Sequence, residues 1–452
     1  MTFEEILPSL LRVCEQSAAA DAVDTWCAVR DLRGRVRLVL KPREAGPAGD
    51  VLETLERDLS RELGGYFAPP ILRTADQGDR GHLARTIFAQ ASEWADAQFD
   101  DPVRGVGLTP RGRWLKLERR LSKLDWLEGG APNPPWSLND PMPAIVTFYS
   151  FKGGVGRTTA LVACAWQMAA DGRRVAVVDL DLEAPGLGGL LEVETPRGVI
   201  DFVVDQLATG SADITGLAAP AQVLGAEAER VQVFPAGRLG TSYLDKLARL
   251  DFTALTAWEV GGKPTSPTGE ALRALIQAIG RQEPRPDTIL IDSRAGLHDL
   301  SGLSLHGLGH VDILFTRAGE QGYQGLALAV SLLARRRGAA DLSCIVVHSL
   351  APVPGTPESR AEEEEFRARG YAIFRDFVYD EAHGYDPNTI PPLESEVDPH
   401  SPLVLHFENE LQRFVSLSER RGVLFGEDYG RLRKRVDELC EKESEDDGEP
   451  TP

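Results

Sequence analysis

Ser150-Phe151-Lys152-Gly153-Gly154-Val155-Gly156-Arg157-Thr158-Thr159 decides how this chain is read. An apolar run, Ala144-Ile145-Val146-Thr147-Phe148-Tyr149, precedes it and reads as a strand. A helical pattern from Ala160 to Ala170 follows it. Strand, glycine-rich loop, helix is the geometry that holds a nucleotide phosphate chain. Glycines let backbone amides turn inward to phosphate oxygens, and the helix N-terminus adds partial positive charge. Thr158 is placed to offer its hydroxyl to Mg2+.

Two cations flank the loop. The general pattern G-x-x-x-x-G-K-[ST] is not met, because Phe151 replaces the first glycine and Arg157 the lysine. The variant K-G-G-x-G-K-[ST]-[ST] is met everywhere except at Arg157. This resembles the deviant phosphate loop of the ParA/MinD family of ATPases (the SIMIBI class), in a KGGVGR-type branch. The resemblance implies that ATP is held by Lys152, Gly153, Gly154, Val155, Gly156, Arg157, Thr158 and Thr159. It also implies that Lys152 reaches across a dimer interface to the other subunit's nucleotide.

Arg173-Arg174-Val175-Ala176-Val177-Val178-Asp179-Leu180-Asp181 is a buried-type strand with two carboxylates at its end. Open parallel sheets bind ligands at the carboxyl ends of their strands. Alternation is expected to put Asp179 and Asp181 on one side, toward the phosphates. By resemblance Asp181 positions the attacking water, and Asp179 lies near the metal. A switch loop is expected from Glu183-Ala184-Pro185-Gly186 onward.

Asp287-Thr288-Ile289-Leu290-Ile291-Asp292-Ser293-Arg294 is a second apolar strand ending in a carboxylate. It resembles the Walker B segment of the same family, which makes Asp292 a metal-holding aspartate. The family has proline after the Asp-Ser pair; here Arg294 stands, a guanidinium suited to phosphate or to a carboxylate. Val231 to Gly237 resembles the strand-to-loop Pro-x-Gly segment of MinD-like proteins. Val311 to Thr316 and Ser343 to Val347 read as further core strands. With no [NT]-K-x-D guanine-reading motif after either, ATP is favoured over GTP.

The expected fold is α/β, a doubly wound, mostly parallel sheet with a phosphate loop, preceded by a smaller α+β domain. At 452 residues two domains are expected. Residues 1–130 read as an accessory or partner-binding domain and 131–143, with five prolines, as a stiff linker. Residues 144–442 read as the ATPase domain and 443–452 as an acidic, disordered tail. In the first domain the patterns read as a helix from Phe3 to Cys14, a hairpin of Thr25–Arg30 and Arg35–Leu40, and helices over 51–63, 82–98 and 113–127. Beyond residue 350 they read as a helix over 360–369, a strand over 371–379, loop over 385–402, and helices over 403–417 and 429–440.

The five cysteines are scattered with no C-x-x-C, as in a protein of a reducing, cytoplasmic compartment. No stretch of eighteen apolar residues or signal-peptide pattern is present. His306 and His310 could share a helix face, without suggesting zinc. Net charge is −20. DNA binding through phosphate neutralisation is therefore disfavoured, with Arg335-Arg336-Arg337 and Arg431-Leu432-Arg433-Lys434-Arg435 as the candidate patches. The acidic tail lacks the apolar face of a membrane-docking helix.

Three functions compete. The first is a slow or partner-stimulated ATPase that dimerises on ATP and regulates a protein partner through its N-terminal domain. The second is a DNA or cargo partition ATPase. The third is a nucleotide-binding module that does not hydrolyse, with Arg157 as its support. The divergent loop and the fused domain resemble ATPases of bacterial multi-gene systems, including defence against phage.

Overall fold

A computed structural model describes residues 2–250, 266–337, 342–379, 389–412 and 416–441, other than 45, 96, 98, 102–105, 109, 111, 121 and 128–133. The chain divides into two units, Met1–Leu121 and Ser122–Pro452. The tail 443–452 lies outside the described residues.

The first unit contains α1 (Ile6–Gln16), β1 (Val23–Arg30), β2 (Val36–Pro42), α2 (Gly49–Leu63), β3 (Leu72–Arg73), α3 (Gly78–Gln90), β4 (Ser92–Glu93), β5 (Phe99–Asp101), β6 (Val106–Leu108) and β7 (Arg113–Glu118). Its sheet runs β3-β2-β1-β7-β4, and β5 and β6 form a separate ribbon. The β1–β2 hairpin closes because Asp31 accepts the backbone N–H groups of Arg33 and Arg35, while Gly34 takes φ +80°. The expected helix over 113–127 is corrected. Residues 113–118 form β7, parallel to β1, and Trp114 stacks on Trp26 with ring centroids 5.6 Å apart. The spacing of Trp114, Leu117, Leu121 and Leu124 fitted a helix, but Arg-Trp-Leu-Lys-Leu-Glu also fits a strand, and pairing with β1 decides between them. The helix expected over 82–98 likewise ends at Gln90, since Ser92 and Glu93 pair with β7.

The second unit contains α4 (Leu124–Leu127), β8 (Ala144–Ser150), α5 (Arg157–Ala170), β9 (Val175–Asp179), α6 (Leu187–Leu190), α7 (Val199–Thr209), β10 (Ala219–Pro220), β11 (Val231–Phe234), α8 (Thr241–Leu247) and α9 (Pro267–Gly280). It continues with β12 (Thr288–Asp292), α10 (Asp299–Leu303), β13 (Val311–Thr316), α11 (Glu320–Arg337), β14 (Cys344–Ala351), α12 (Pro357–Phe377), β15 (Leu403–His406), α13 (Arg421–Leu424) and α14 (Glu427–Cys440). Strand order is β10-β11-β9-β12-β8-β13-β14-β15. Every pair is parallel except β10–β11. This is the expected doubly wound α/β sheet.

Every residue of β8 is buried, which explains its unbroken apolar run. Val146 and Phe148 join Leu161, Trp166 and Leu432 on the face covered by α5 and α14. Ile145 packs with Phe202 and Leu275 on the opposite face, under α7 and α9. Tyr149, Leu314 and Val346 continue that second face beneath α11 and α12. The phosphate loop leaves the carboxyl end of β8, the central crevice of such a sheet.

Two C-terminal expectations are corrected. Residues 371–377 are helical, the last turns of α12, because Phe366, Gly370 and Phe374 bury one helical face. The Thr356 hydroxyl caps that helix at its other end, accepting from the Ser359 N–H. Residues 403–406 form β15 rather than a helix, since the open edge of β14 takes them as a parallel strand. Residues 413–415 and 380–388 lie outside the described residues.

Lys123 and Trp126, read from sequence as part of the first domain, pack within the second unit. Lys123 Nζ lies 2.9 Å from Asp299, and a Cβ on Gly302 would come within 2.6 Å of the Trp126 ring. The proline-rich stretch also docks there: Trp136 covers Gly280 and donates its indole N–H to the Pro143 carbonyl at 2.7 Å. His310 precedes β13 and accepts the Ile145 N–H at Nδ1, at 2.9 Å, so it shares no helix face with His306.

Candidate nucleotide site

Gly154 and Gly156 take φ +73° and +77°, conformations that turn the loop back on itself before α5 begins at Arg157. No heavy atom stands within 4 Å of a Cβ built on Gly153 or Gly154, so the loop is open on that side. Val155 is buried, and its carbonyl accepts the Ser349 hydroxyl of β14. The Gly296 N–H donates to the Ser150 carbonyl at 2.9 Å, which ties the loop's first residue to the segment after β12. Phe151 leans on α11: a Cβ at Gly325 would come within 2.2 Å of its ring. Lys152 is exposed, and Thr159 lies in the first turn of α5.

Thr158 and Asp292 meet as expected. The Thr158 hydroxyl donates to Asp292 Oδ2 at 2.7 Å. Hydroxyl and carboxylate oxygens are hard donors of the kind Mg2+ takes, so this pair fits that ion.

Arg157 departs from the sequence expectation. Its guanidinium turns into the protein, and the residue is 7% exposed. Nε donates to Asp292 Oδ1 at 2.6 Å, NH2 to Asp181 Oδ2 at 3.2 Å, and NH1 to the Ser150 hydroxyl at 3.4 Å. One side chain thus binds both carboxylates read from sequence as metal and water ligands. Burial opposes its charge, but Asp292 and Asp181 more than offset this and raise its pKa. Burial in turn raises the Asp292 pKa, opposed by Arg157 and by the Thr158 hydroxyl.

Asp181 is bound from a second side. Arg294 NH1 lies 2.8 Å from Asp181 Oδ1, and its NH2 lies 2.8 Å from Glu183. Glu183 also receives His298 Nε2 at 2.7 Å. The residue standing in the family's proline position is therefore a carboxylate binder within its own chain.

Asp179 is engaged by its own loop. Strand β9 ends at this residue, so alternation does not carry on to Asp181. Asp179 is wholly buried and accepts backbone N–H groups from Asp181 at 3.1 Å, Gly186 at 3.2 Å and Leu187 at 3.1 Å. These bonds shape the loop that carries Asp181. Burial, then the nearby Asp292 charge, raises its pKa well above the usual carboxylate range.

The candidate basic patch on α14 is internally matched. Arg431 pairs with Asp428, Arg433 with Asp171 and Asp437, and Arg435 with Glu438. Arg335 is exposed on α11. No helix among the described residues is long and apolar enough to cross a membrane.

Sequence reasoning missed Ser349, the Phe151–Gly325 contact and the Glu183–His298 pair. Gly325 inside an otherwise helical pattern was a usable signal of a close approach. Ser349 left none.

Residues 143–189 match the family model described as VirC1 protein. Over 41 residues the chain is 54% identical to Protein virC1 of Rhizobium rhizogenes, an alignment covering 9% of this chain and 18% of that protein. The chain thus spans less than a fifth of the curated relatives' length. The cell division ATPase MinD of Pyrococcus furiosus is 23% identical, covering 50% of this chain and 80% of that one, with a TM-score of 0.35. Cobyrinic acid a,c-diamide synthase of Mycobacterium smegmatis, solved with an ATP analogue and magnesium, is 21% identical over 50% of this chain and 82% of its own, with a TM-score of 0.36. The segment that matches the VirC1 model runs from the start of β8 through the glycine-rich loop, α5 and β9.

Proposed function

We propose that this chain binds ATP with Mg2+ at the β8–α5 loop, hydrolyses it slowly, and uses the bound state to dimerise and regulate a protein partner. The observation that carries this reading is the Thr158–Asp292 contact at 2.7 Å, set beside two left-handed glycines at the carboxyl end of β8. Backbone N–H groups of residues 153–159 would hold the phosphates, and Thr158 with Asp292 would hold Mg2+. Magnesium held there neutralises phosphate charge. Lys152, exposed at the loop's start, is free to act on a second subunit's nucleotide. Asp181 is the candidate water-positioning carboxylate, and Asp179 supports the backbone that carries it.

Net charge of −20 and the self-paired arginines of α14 count against the DNA partition reading. The non-hydrolysing reading has one specific support, the commitment of Arg157 to Asp181 and Asp292. Light scattering with a slowly hydrolysed ATP analogue, paired with a phosphate-release assay, tests the proposal. The expected result is a doubled mass with analogue, blocked by Lys152→Ala, together with measurable turnover. Bound analogue without any change of mass overturns the dimerisation role, and binding without turnover leaves the module reading.

A further inference from the structure

Arg157 brings a positive charge to the phosphate loop, but that charge is already matched. It is buried between Asp292 and Asp181, at 2.6 Å and 3.2 Å. A triphosphate carries several negative charges and calls for cations that remain uncommitted. Beside the loop lies a cavity of about 290 Å3 whose walls supply two of them. One wall is Phe151, Lys152 and Val155 of the loop; the other, residues 316–322, runs from the end of β13 into the first turn of α11 and includes Arg317.

Lys152 and Arg317 are both exposed. Neither forms an ion pair within the described residues, in contrast to Arg157, Arg294 and Arg369. The one carboxylate lining the cavity, Glu320, is held elsewhere. It pairs with Arg369 at 2.7 Å and accepts the Gln324 amide at 3.0 Å. The cavity's charge is therefore set by its two cations.

Two contacts fix the backbone that carries Arg317. Phe151 packs on Gly325, which fixes the start of α11 against the phosphate loop. A Cβ at Gly322 would come within 2.2 Å of the Arg317 carbonyl oxygen, so the turn there is tight and needs glycine.

We infer that Arg317 is a phosphate-binding residue that acts with Lys152 on the terminal phosphates of a nucleoside triphosphate, supplying the free positive charge that Arg157 does not. The inference rests on the ATP-binding reading given above. The phosphates can belong to the same subunit's nucleotide or to that of a second copy; the chemistry is shared, and the experiment separates the two sources.

The test uses the full chain and titrates a non-hydrolysable ATP analogue and ADP, each with Mg2+, by calorimetry on dilute protein. Light scattering then follows analogue-driven dimerisation on concentrated protein. The variants are Arg317→Ala, Arg317→Lys and, as a control, Arg360→Ala on the exposed side of α12. For Arg317→Ala the expected loss is about tenfold for the analogue and under about threefold for ADP, with Arg317→Lys recovering most of it. Loss in dilute protein assigns the phosphates to the same subunit. Loss confined to dimerisation assigns them to the partner copy. Analogue binding and dimerisation both equal to the parent's overturn the inference while leaving the nucleotide reading intact. A parent chain that binds neither nucleotide overturns the nucleotide reading itself.

Discussion

Nε of Arg157 lies 2.6 Å from Oδ1 of Asp292, while Thr158 of the same helical turn donates to the other oxygen of that carboxylate. Two adjacent side chains of α5 thus engage both oxygens of one aspartate at the end of β12. Removing the guanidinium would leave Asp292 and Asp181 buried without their strongest shared partner. Arg157→Ala is expected to lower stability by ~3–5 kcal/mol at neutral pH, the cost of breaking a buried ion pair. The deficit should shrink as pH falls through the variant's Asp292 value, which lies above the ordinary carboxylate range because burial raises it and Arg157 no longer opposes that. Arg157→Lys should recover part of it, because an ammonium cannot fork between two carboxylates. Denaturant titrations of the three proteins at neutral and acid pH measure all of this.

Asp181→Ala should separate binding from chemistry. It leaves the Thr158–Asp292 pair and the loop backbone in place, so analogue affinity should change by less than about threefold. Single-turnover phosphate release should fall by about a hundredfold or more, as for loss of a water-positioning base. A variant that releases phosphate at the parent's rate would remove Asp181 from the chemistry.

Gly325→Ala should run against the usual rule for helices. In an exposed helix interior that change stabilises by about 1 kcal/mol. Here the new methyl would meet the Phe151 ring at 2.2 Å, so a net loss of ~1–3 kcal/mol is expected, typical of overpacking. Phe151→Gly/Gly325→Ala removes the ring together with the Phe151 Cβ, which would itself lie at 2.6 Å, and should relieve the clash, giving a non-additive double-mutant cycle by urea denaturation.

Asp428 links α14 to the edge strand β15. Its carboxylate accepts the His406 backbone N–H at 2.8 Å, faces His406 Nδ1 at 2.9 Å and pairs with Arg431 at 2.7 Å. Burial works to raise its pKa, but these donors prevail and lower it below the usual carboxylate value. The sign follows. The stabilisation is complete above the unfolded pKa of about 3.9 and is lost as pH falls through the lower folded value. Asp428→Asn should cost ~1–2 kcal/mol at pH 7, and the gap to the parent should close below about pH 3. Parallel thermal melts across that range measure the closure.

What could be read from sequence was what is local along the chain. The glycines, Thr158 and the apolar strands ending at Asp179 and Asp292 each declare themselves within about ten residues. The direction of the Arg157 side chain could not be read that way, because its partners lie 24 and 135 positions away. The backbone donors on Asp179 could not be read either, because Asp181 lies two residues past the end of β9 and its path is set by the loop that turns back over Asp179. β7 and β15 were taken for helices for a related reason. Both are settled by the strand they lie beside, β1 and β14, and periodicity carries no information about a neighbour. The site's outline was thus legible in the sequence, and its charge pairing was not.

The Ser349 hydroxyl on the Val155 carbonyl has a thermodynamic consequence. Glycine-rich loops are ordinarily costly to immobilise, and a ligand that orders one gives up affinity in doing so. Here the middle of the loop is fastened to β14, two strands away from the strand that bears it, while Gly296 fastens its beginning. The ordering entropy is thereby met during folding instead of during ligand capture. Phosphate capture should accordingly carry a smaller entropic cost than in a Ser349→Ala variant, a difference that calorimetry on the two proteins reads.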